Sequence, residues 1–345
     1  MRSFKIGDRE IGDNFAPLVI AEIGINHEGD FKKAVRMVND AYVAGAECVK
    51  FQYHLPELEM SIHAKSTIPM NTNKSIYEVI SSCTLNHDEH QKLKKIVESL
   101  GMIYMATPFS REAMDRLIEM DVKVVKIGSG ECNNRPLIEK IAKTGIPMII
   151  STGMNDIESI RKTVEIVEKF ETEYCLLHCT SLYPTPYEHV RLGGIEELKN
   201  NFKNAVIGLS DHSIGNYTSF AAIPLGARVI EKHFTSDKNW PGPDIEISID
   251  PKELKDLIYG SRAIFKSLGG KKDVLKAEKS TIDFAYASVV AIKDIDIGEK
   301  LSEENIWVKR PGTGDFLADD FESLIGKTSK SFIFKDQQVS KNDIL

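Results

Sequence analysis

Lys50 and Lys126 each sit inside a short apolar, β-rich run, and Thr107, Ser129, Ser151 and Ser210 stand at or just beyond the ends of such runs. Ammonium groups and hydroxyls gathered in one place bind phosphate, because the ammonium brings charge and three donors while the hydroxyls turn to suit the oxygens. Two inward lysines with several hydroxyls are costly to bury unless an anion completes the group, and a phosphate is the ligand that fits. Two further runs, Ile207-Gly-Leu-Ser-Asp-His-Ser213 and Val229-Ile-Glu-Lys-His-Phe234, each carry an apolar stretch into a histidine. As neighbouring parallel strands they deliver His212 and His233 side by side, with Ser210 and Asp211 next to them. Two imidazoles with oxygen partners suit manganese, iron or zinc and leave coordination positions for water and substrate. Taken singly, each residue has a plainer explanation, since a serine after a strand is commonly a helix N-cap and a lone histidine a packed core residue. The joint pattern is what argues for a site.

The elements that must position these residues alternate. Eight β runs are legible: Leu18–Gly24, Cys48–Gln52, Met102–Ala106, Val122–Ile127, Pro147–Ser151, Tyr174–Cys179, Ala205–Leu209 and Arg228–Phe234. Between and after them lie helical periods at Phe31–Ala44, His87–Leu100, Arg111–Met120, Leu137–Thr144, Ile157–Phe170 and Pro251–Leu268. Gly45, Gly101 and Gly145 each stand where a helix must stop in a left-handed cap before the next strand. Strand then helix, eight times over, predicts an α/β fold of the (β/α)₈ (TIM) barrel type, whose active site lies at the carboxyl ends of the strands. No G-x-G-x-x-G follows the first strand, which disfavours a doubly wound dinucleotide fold.

Each strand end then has something to offer. They are Glu22 with Asn26-His27; Lys50 and Gln52; Thr107 and Phe109; Lys126, Ser129 and Glu131; Ser151; His178, Thr180 and Tyr183; Ser210 and His212; and His233. The connection from His54 to about Asn86 is too long for a plain loop and predicts a lid or substrate wall. Asp244, in the Pro/Gly-held segment after the last strand, is placed to meet a polar substrate. Cys132 has no evident base, so nucleophilic catalysis is not expected from it. Near Gly269-Gly-Lys-Lys-Asp273 the period changes. The expected division is a barrel over 1–270, a linker over 271–283 and a small β-rich domain over 284–345, with strand-like runs at Ala287–Ile292, Ile297-Gly298 and Ser331–Phe334.

Composition narrows the class. A hydrophobic fraction of 42% and a charged fraction of 28% suit a soluble globular chain with a sizeable core. A net charge of −7 argues against a general nucleic-acid binder, which needs clustered cationic surface. The five cysteines form no C-x-x-C pair, so reduced thiols in a cytoplasm are expected. No long apolar run predicts a membrane span.

The motifs IAEIGINHEGD at 20–30, KFQ at 50–52, ATPFS at 106–110, KIGSGECNN at 126–134, STGMN at 151–155, YPTPYE at 183–188, GLSDHS at 208–213, EKHFT at 231–235, PGPD at 241–244 and VKRPGTG at 308–314 resemble those of the bacterial sialic acid synthases. The likeness runs over nearly the whole chain. It implies a (β/α)₈ barrel followed by an antifreeze-like (SAF) domain, and the condensation of phosphoenolpyruvate with the open-chain form of N-acetylmannosamine to N-acetylneuraminate and phosphate. A divalent metal is implied, Mn²⁺ first, with Mg²⁺ or Co²⁺ as alternatives. The resemblance assigns Lys50, Thr107, Lys126, Ser129, Ser151, Ser210 and His212 to phosphoenolpyruvate and His212 with His233 to the metal. It assigns Asn71, Gln52, Tyr183 and Asp244 to the sugar, and Glu22 and Glu131 to the carboxylates nearest the reacting atoms. It further implies a domain-swapped homodimer in which Phe284 and Arg310 act on the partner's barrel.

The chain departs from the family pattern where Ser181 stands in place of a frequent asparagine, and at Phe51 and Tyr53, where histidine and threonine are common. These positions flank the sugar side. A 2,4-diacetamido-trideoxymannose, leading to the legionaminic class, is therefore the second substrate reading, and a sugar-phosphate binding protein without turnover the non-enzymatic one.

Overall fold

The computed structural model describes residues 2–68 and 73–345, in two compact units, Met1–Gly269 and Gly270–Leu345. The first opens with an antiparallel hairpin, β1 (Ser3–Ile6) and β2 (Arg9–Gly12), turned at Gly7-Asp8. Eight parallel strands follow: β3 (Leu18–Gly24), β4 (Cys48–Tyr53), β5 (Ile103–Pro108), β6 (Val125–Ile127), β7 (Met148–Ser151), β8 (Tyr174–Cys179), β9 (Val206–Asp211) and β10 (Val229–His233). They close in the order β10-β3-β4-β5-β6-β7-β8-β9, the (β/α)₈ barrel that the alternating pattern predicts.

The helices form where the 3.6-residue period lies. Phe31–Ala44 buries Ala34, Met37, Val38 and Ala41 against the barrel; Asp30 caps its start by accepting from the Lys32 and Lys33 amides, and Gly45 ends it at φ 94. Gly101 and Gly145 take the same left-handed conformation at φ 75 and 71, which costs glycine little and a β-carbon more. Strand residues alternate between two cores. Val49, Phe51, Tyr53, Tyr104, Val125, Ile150, Leu176 and Ile230 face outward into the layer shared with the helices, so Phe51 and Tyr53 do not flank the sugar side as expected. Leu18, Ile20, Cys48, Met105, Val124, Ile149, Cys175, Leu177, Val206 and Val229 face inward, and Phe4, Ile6 and Ile11 of the hairpin pack onto them. The hairpin is thus the floor of the barrel.

The long connection after β4 is not bare loop. It contains the short helix Pro56–Glu59, a 3₁₀ turn Ile62–Lys65 and the helix Ile76–Ser82, started by a capping box between Ser75 and Glu78. Ile80 and Cys83 pack with Ile25 in a small core of their own.

The second unit holds the antiparallel pair β11 (Ser288–Ala291) and β12 (Ile306–Lys309) around Val289, Ala291, Ile295, Leu301, Ile306, Leu324, Ile333 and Val339. Two expected strands are corrected here. Gly298 lies in a turn at φ 86, and Ser331–Phe334 contributes only the isolated bridge from Ile333 to Ile295. The strand that exists instead, Ile306–Lys309, alternates buried Ile306 with half-exposed Trp307. All five cysteines are buried and free, and no helix among the described residues is long and apolar enough to cross a membrane.

Candidate active site

Two residues beyond the apolar floor, the same inward-facing positions turn polar. Glu22, Lys50, Thr107, Lys126, Ser151, Ser210, Glu231 and His233 line one cavity of about 890 Å³ at the carboxyl ends of the strands. Gln52, Phe109, Ser129, Tyr183, His212 and Asp244 line it too, so most of the expected set converges. Three expectations stand differently. Glu131 is not among the lining residues, and its carboxylate accepts from Asn134 Nδ2 at 2.6 Å. Phe284 and Arg310 belong to the second unit, where the Arg310 guanidinium lies 5.8 Å from the Phe284 ring centre. Asn71 lies outside the described residues.

The lysines are not waiting for an anion to balance them. Lys50 Nζ is 2.9 Å from Glu22 Oε1 and 3.6 Å from Glu231 Oε2, and Lys126 Nζ is 3.6 Å from Glu231 Oε1. Glu231 is the charged partner of both lysines that the sequence pattern alone does not single out. The signal was there, because a two-residue period puts Val229, Glu231 and His233 on one face. Lys126 also donates to Ser151 Oγ at 2.7 Å and Lys50 to Thr107 Oγ1 at 3.4 Å, while Ser210 donates to Glu231 Oε1 at 2.9 Å. Ser129 Oγ accepts from the Gly153 amide at 3.0 Å, where the chain passes so close that a Cβ on Gly153 would lie 2.4 Å from Ser181 Oγ.

Burial sets the protonation balance. Glu22 is pushed up to about 7 by burial against the pull of Lys50, with Glu231 adding to the rise. Glu231, equally buried, is held below the ordinary carboxylate value because Lys126 and Lys50 outweigh its desolvation. Asp244 rises to about 6 through burial, opposed by His212 and Lys50. Burial lowers Lys126. A mixed set of this kind, one carboxyl charged and one poised near neutrality, suits proton handling.

His212 and His233 stand with ring centres 5.4 Å apart, and Tyr183 stacks on His212 at 4.2 Å. His212 Nδ1 lies 2.9 Å from the Thr180 carbonyl; donating to that oxygen leaves its Nε2 lone pair free for a cation. His233 Nδ1 is buried without a hydrogen-bond partner, 3.6 Å from Asp244 Oδ2, and burial followed by the His212 and Lys50 charges keeps the ring neutral. Glu22 Oε2 and Glu231 Oε2 are likewise buried without a hydrogen bond. Imidazole nitrogens plus carboxylate oxygens fit a divalent cation of intermediate softness. Among the described residues no three His, Cys, Asp or Glu side chains are grouped so as to hold a metal ion by themselves.

Other unforeseen contributors line the cavity. His54 bridges Gln52 Oε1 (2.8 Å) and Glu59 Oε1 (2.7 Å) and stacks on Phe109 at 4.2 Å, which fixes the Gln52 amide. Cys179 lies 4.0 Å from His212 Nδ1. The insert adds the apolar side chains Ile76, Val79, Ile80 and Cys83 to the lining, together with Lys74 and Ser82, and Ile247 joins them from the segment after β10.

An eight-stranded parallel barrel with ammonium, hydroxyl, imidazole and carboxyl groups converging at the carboxyl ends of its strands defines a (β/α)₈ protein with one built polar site. Residues 37–273 match the NeuB family and residues 286–345 the SAF domain. The chain belongs to the NeuB family and carries a C-terminal SAF domain. It is 42% identical to the uncharacterized protein MJ1065 of Methanocaldococcus jannaschii over 91% of this chain and 90% of that one. It is 37% identical to the N,N'-diacetyllegionaminic acid synthase of Campylobacter jejuni over 93% of this chain and 98% of that one. Among solved structures, the N-acetylneuraminic acid (sialic acid) synthetase of Leptospira borgpetersenii, in complex with citrate, superposes with a TM-score of 0.73 at 33% identity, over 81% of this chain and 95% of that one.

Proposed function

We propose that this chain is a sugar-acid synthase that condenses phosphoenolpyruvate with the open-chain form of an N-acetylated mannose-type sugar, N-acetylmannosamine first, and releases phosphate. The observation that carries the reading is the pair of buried lysines, Lys50 and Lys126, each bonded to a hydroxyl and set beside two carboxylates at one barrel end. The phosphoryl group would take the hydroxyl partners and shift the lysines from Glu22 and Glu231 toward itself. The enol carbon of phosphoenolpyruvate then attacks the sugar aldehyde and forms the new carbon–carbon bond. Water adds to the cationic carbon that results, and the tetrahedral intermediate expels phosphate by C–O cleavage. Glu22, held near 7, is the carboxyl able to take the proton of that water around neutral pH. Lys126 and Lys50 keep the leaving phosphate anionic and bound. A divalent metal on His212 and His233, with manganese the first candidate, would supply Lewis acidity toward the aldehyde oxygen.

The family resemblance supports a swapped dimer in which Arg310 and Phe284 serve the partner's site. Lys126→Met and Arg310→Ala chains, each inactive alone, are then expected to regain part of the activity when their subunits exchange; verified exchange without recovery removes the trans arrangement.

The deciding assay is phosphate release from phosphoenolpyruvate with Mn²⁺ and either N-acetylmannosamine or 2,4-diacetamido-2,4,6-trideoxymannose. Release with the first supports the sialic reading. A marked preference for the second moves the chain to the legionaminic class, which the apolar side chains of Ile76, Val79 and Ile80 favour because a deoxygenated sugar presents more carbon to them. Phosphoenolpyruvate binding without release, whatever the sugar, would leave a binding protein.

A further inference from the structure

Behind the two histidines, on the opposite face of the sheet, lies a charged group that the chemistry above does not use. Side chains alternate across a strand, so Asp211 and Lys232, each one residue before a histidine, point away from the cavity. They are register partners across β9 and β10, and Lys232 Nζ lies 3.1 Å from Asp211 Oδ2 with side-chain exposures of 0% and 1%. Lys232 also donates to the Ser213 carbonyl, one residue beyond His212. Asp211 accepts from the Ser213 amide at 2.9 Å, and from Thr218 Oγ1 at 2.6 Å and Ser219 Oγ at 2.7 Å, both on the helix Tyr217–Ala222. The three-residue segment carrying His212 is therefore held from behind at both its ends, by a side chain rooted beside His233.

Simple packing does not call for this arrangement. A buried ion pair rarely improves stability over an apolar pair of the same volume, whereas it does fix geometry, since its groups must meet at one distance. Each member is covalently next to one imidazole, so any slip of β9 along β10 that moved His212 relative to His233 would first have to part Lys232 from Asp211.

We propose that the Asp211–Lys232 pair is a clasp that sets the separation of His212 and His233, making both of them positioning residues for a divalent cation held by the histidines. The proposal rests on the reading of those histidines as a metal pair.

The test is Mn²⁺ binding to the full-length protein, followed by the electron paramagnetic resonance signal of free Mn²⁺, with no turnover required. Lys232→Met is expected to lose roughly 10-fold to 100-fold in Mn²⁺ affinity, the range seen when a group supporting a metal ligand is removed. Lys232→Arg, which keeps the charge and the donors, is expected to recover most of it. Phosphoenolpyruvate binding measured without metal should fall less than Mn²⁺ binding, since Lys50 and Lys126 stand on other strands and only Ser210 and His212 of its set adjoin Asp211. A Lys232→Met protein with native circular dichroism and unchanged Mn²⁺ affinity overturns the clasp while leaving the metal pair intact. If that variant does not fold, Thr218→Val combined with Ser219→Ala removes two donors to Asp211 and spares both charges; undiminished Mn²⁺ affinity there is equally fatal. Wild-type protein that binds no Mn²⁺, or binds it equally well as His233→Ala, overturns the metal pair and the clasp together.

Discussion

Toward the amino ends of the strands the barrel interior is filled by Leu18, Ile20, Cys48, Met105, Val124, Ile149 and Val229, sealed by Phe4, Ile6 and Ile11. Toward the carboxyl ends the same strands present Glu22, Lys50, Thr107, Lys126, Ser151, Glu231 and His233. The change happens in a single step of two residues: Ile20 to Glu22, Cys48 to Lys50, Val124 to Lys126, Ile149 to Ser151, Val229 to Glu231. The lower layer satisfies every atom by packing. The upper layer does not, and buried oxygens of Glu22 and Glu231 and a nitrogen of His233 lack hydrogen-bond partners. Unsatisfied buried polar groups destabilise a fold, so they persist where a rigid neighbour holds them and a ligand completes them. The floor makes the active site affordable.

If the layers divide the work in this way, substitutions in them should fail differently. Lys126→Met removes a buried ammonium but leaves an apolar chain of similar length, and Glu231 keeps Lys50 and Ser210. Activity is expected to fall at least about 100-fold, the loss usual for a donor aimed at developing charge, with the unfolding temperature nearly unchanged. Steady-state phosphate release alongside thermal unfolding checks both halves of the statement. Ile11→Ala is the mirror experiment. It opens a cavity under the floor, where Ile11 is 1% exposed, and should cost about 3 kcal/mol in urea unfolding while the folded protein keeps kcat/KM within about twofold. An Ile11→Ala protein as stable as wild type, or one that is stable but inactive, would mean that the two layers are not separate.

The same division explains what could be read from the sequence. β3 (Leu18–Gly24) and β8 (Tyr174–Cys179) appear with the bounds that their apolar runs suggest, because both faces are buried along their full length. β6 is shorter than its run, since the chain leaves the left-handed turn at Asp121 and joins the barrel only at Val125. Lysines and histidines in apolar runs advertised the upper layer. Glu231 escaped because a glutamate beside a lysine reads as a solvated pair until alternation is used to separate them. Glu131 lies outside the cavity lining and accepts from Asn134, a placement that proximity in sequence to Lys126 and Ser129 does not determine, since it says nothing about which way a 3₁₀ turn, here Ser129–Glu131, directs its last side chain. The second unit was least legible, since its chain is held by isolated bridges rather than by runs with a clear period.

The pH dependence of stability is the effect most specific to the upper layer. With its folded pKa raised from the ordinary carboxyl value to about 7, Glu22 binds its proton more tightly in the folded state than in the unfolded one. Its contribution to stability is therefore fully present below about pH 4.5 and is lost as the pH rises through about 7. Glu22→Gln has no such proton, so the stability of wild type minus that of the variant should decline across this window, by at most about 1.4 kcal/mol per pH unit, and then level off. The subtraction matters, because two buried histidines of the outer layer act oppositely. His27, lowered to about 4, and His90, lowered to about 3, both by burial first, resist protonation in the folded state and make stability rise with pH over much of the same range. They are common to both proteins and cancel. Urea midpoints at intervals from pH 4 to pH 8 give the curve. A difference that grows with pH would mean that Lys50 dominates burial at Glu22, leaving a fully charged carboxylate with no role in moving the proton of the attacking water.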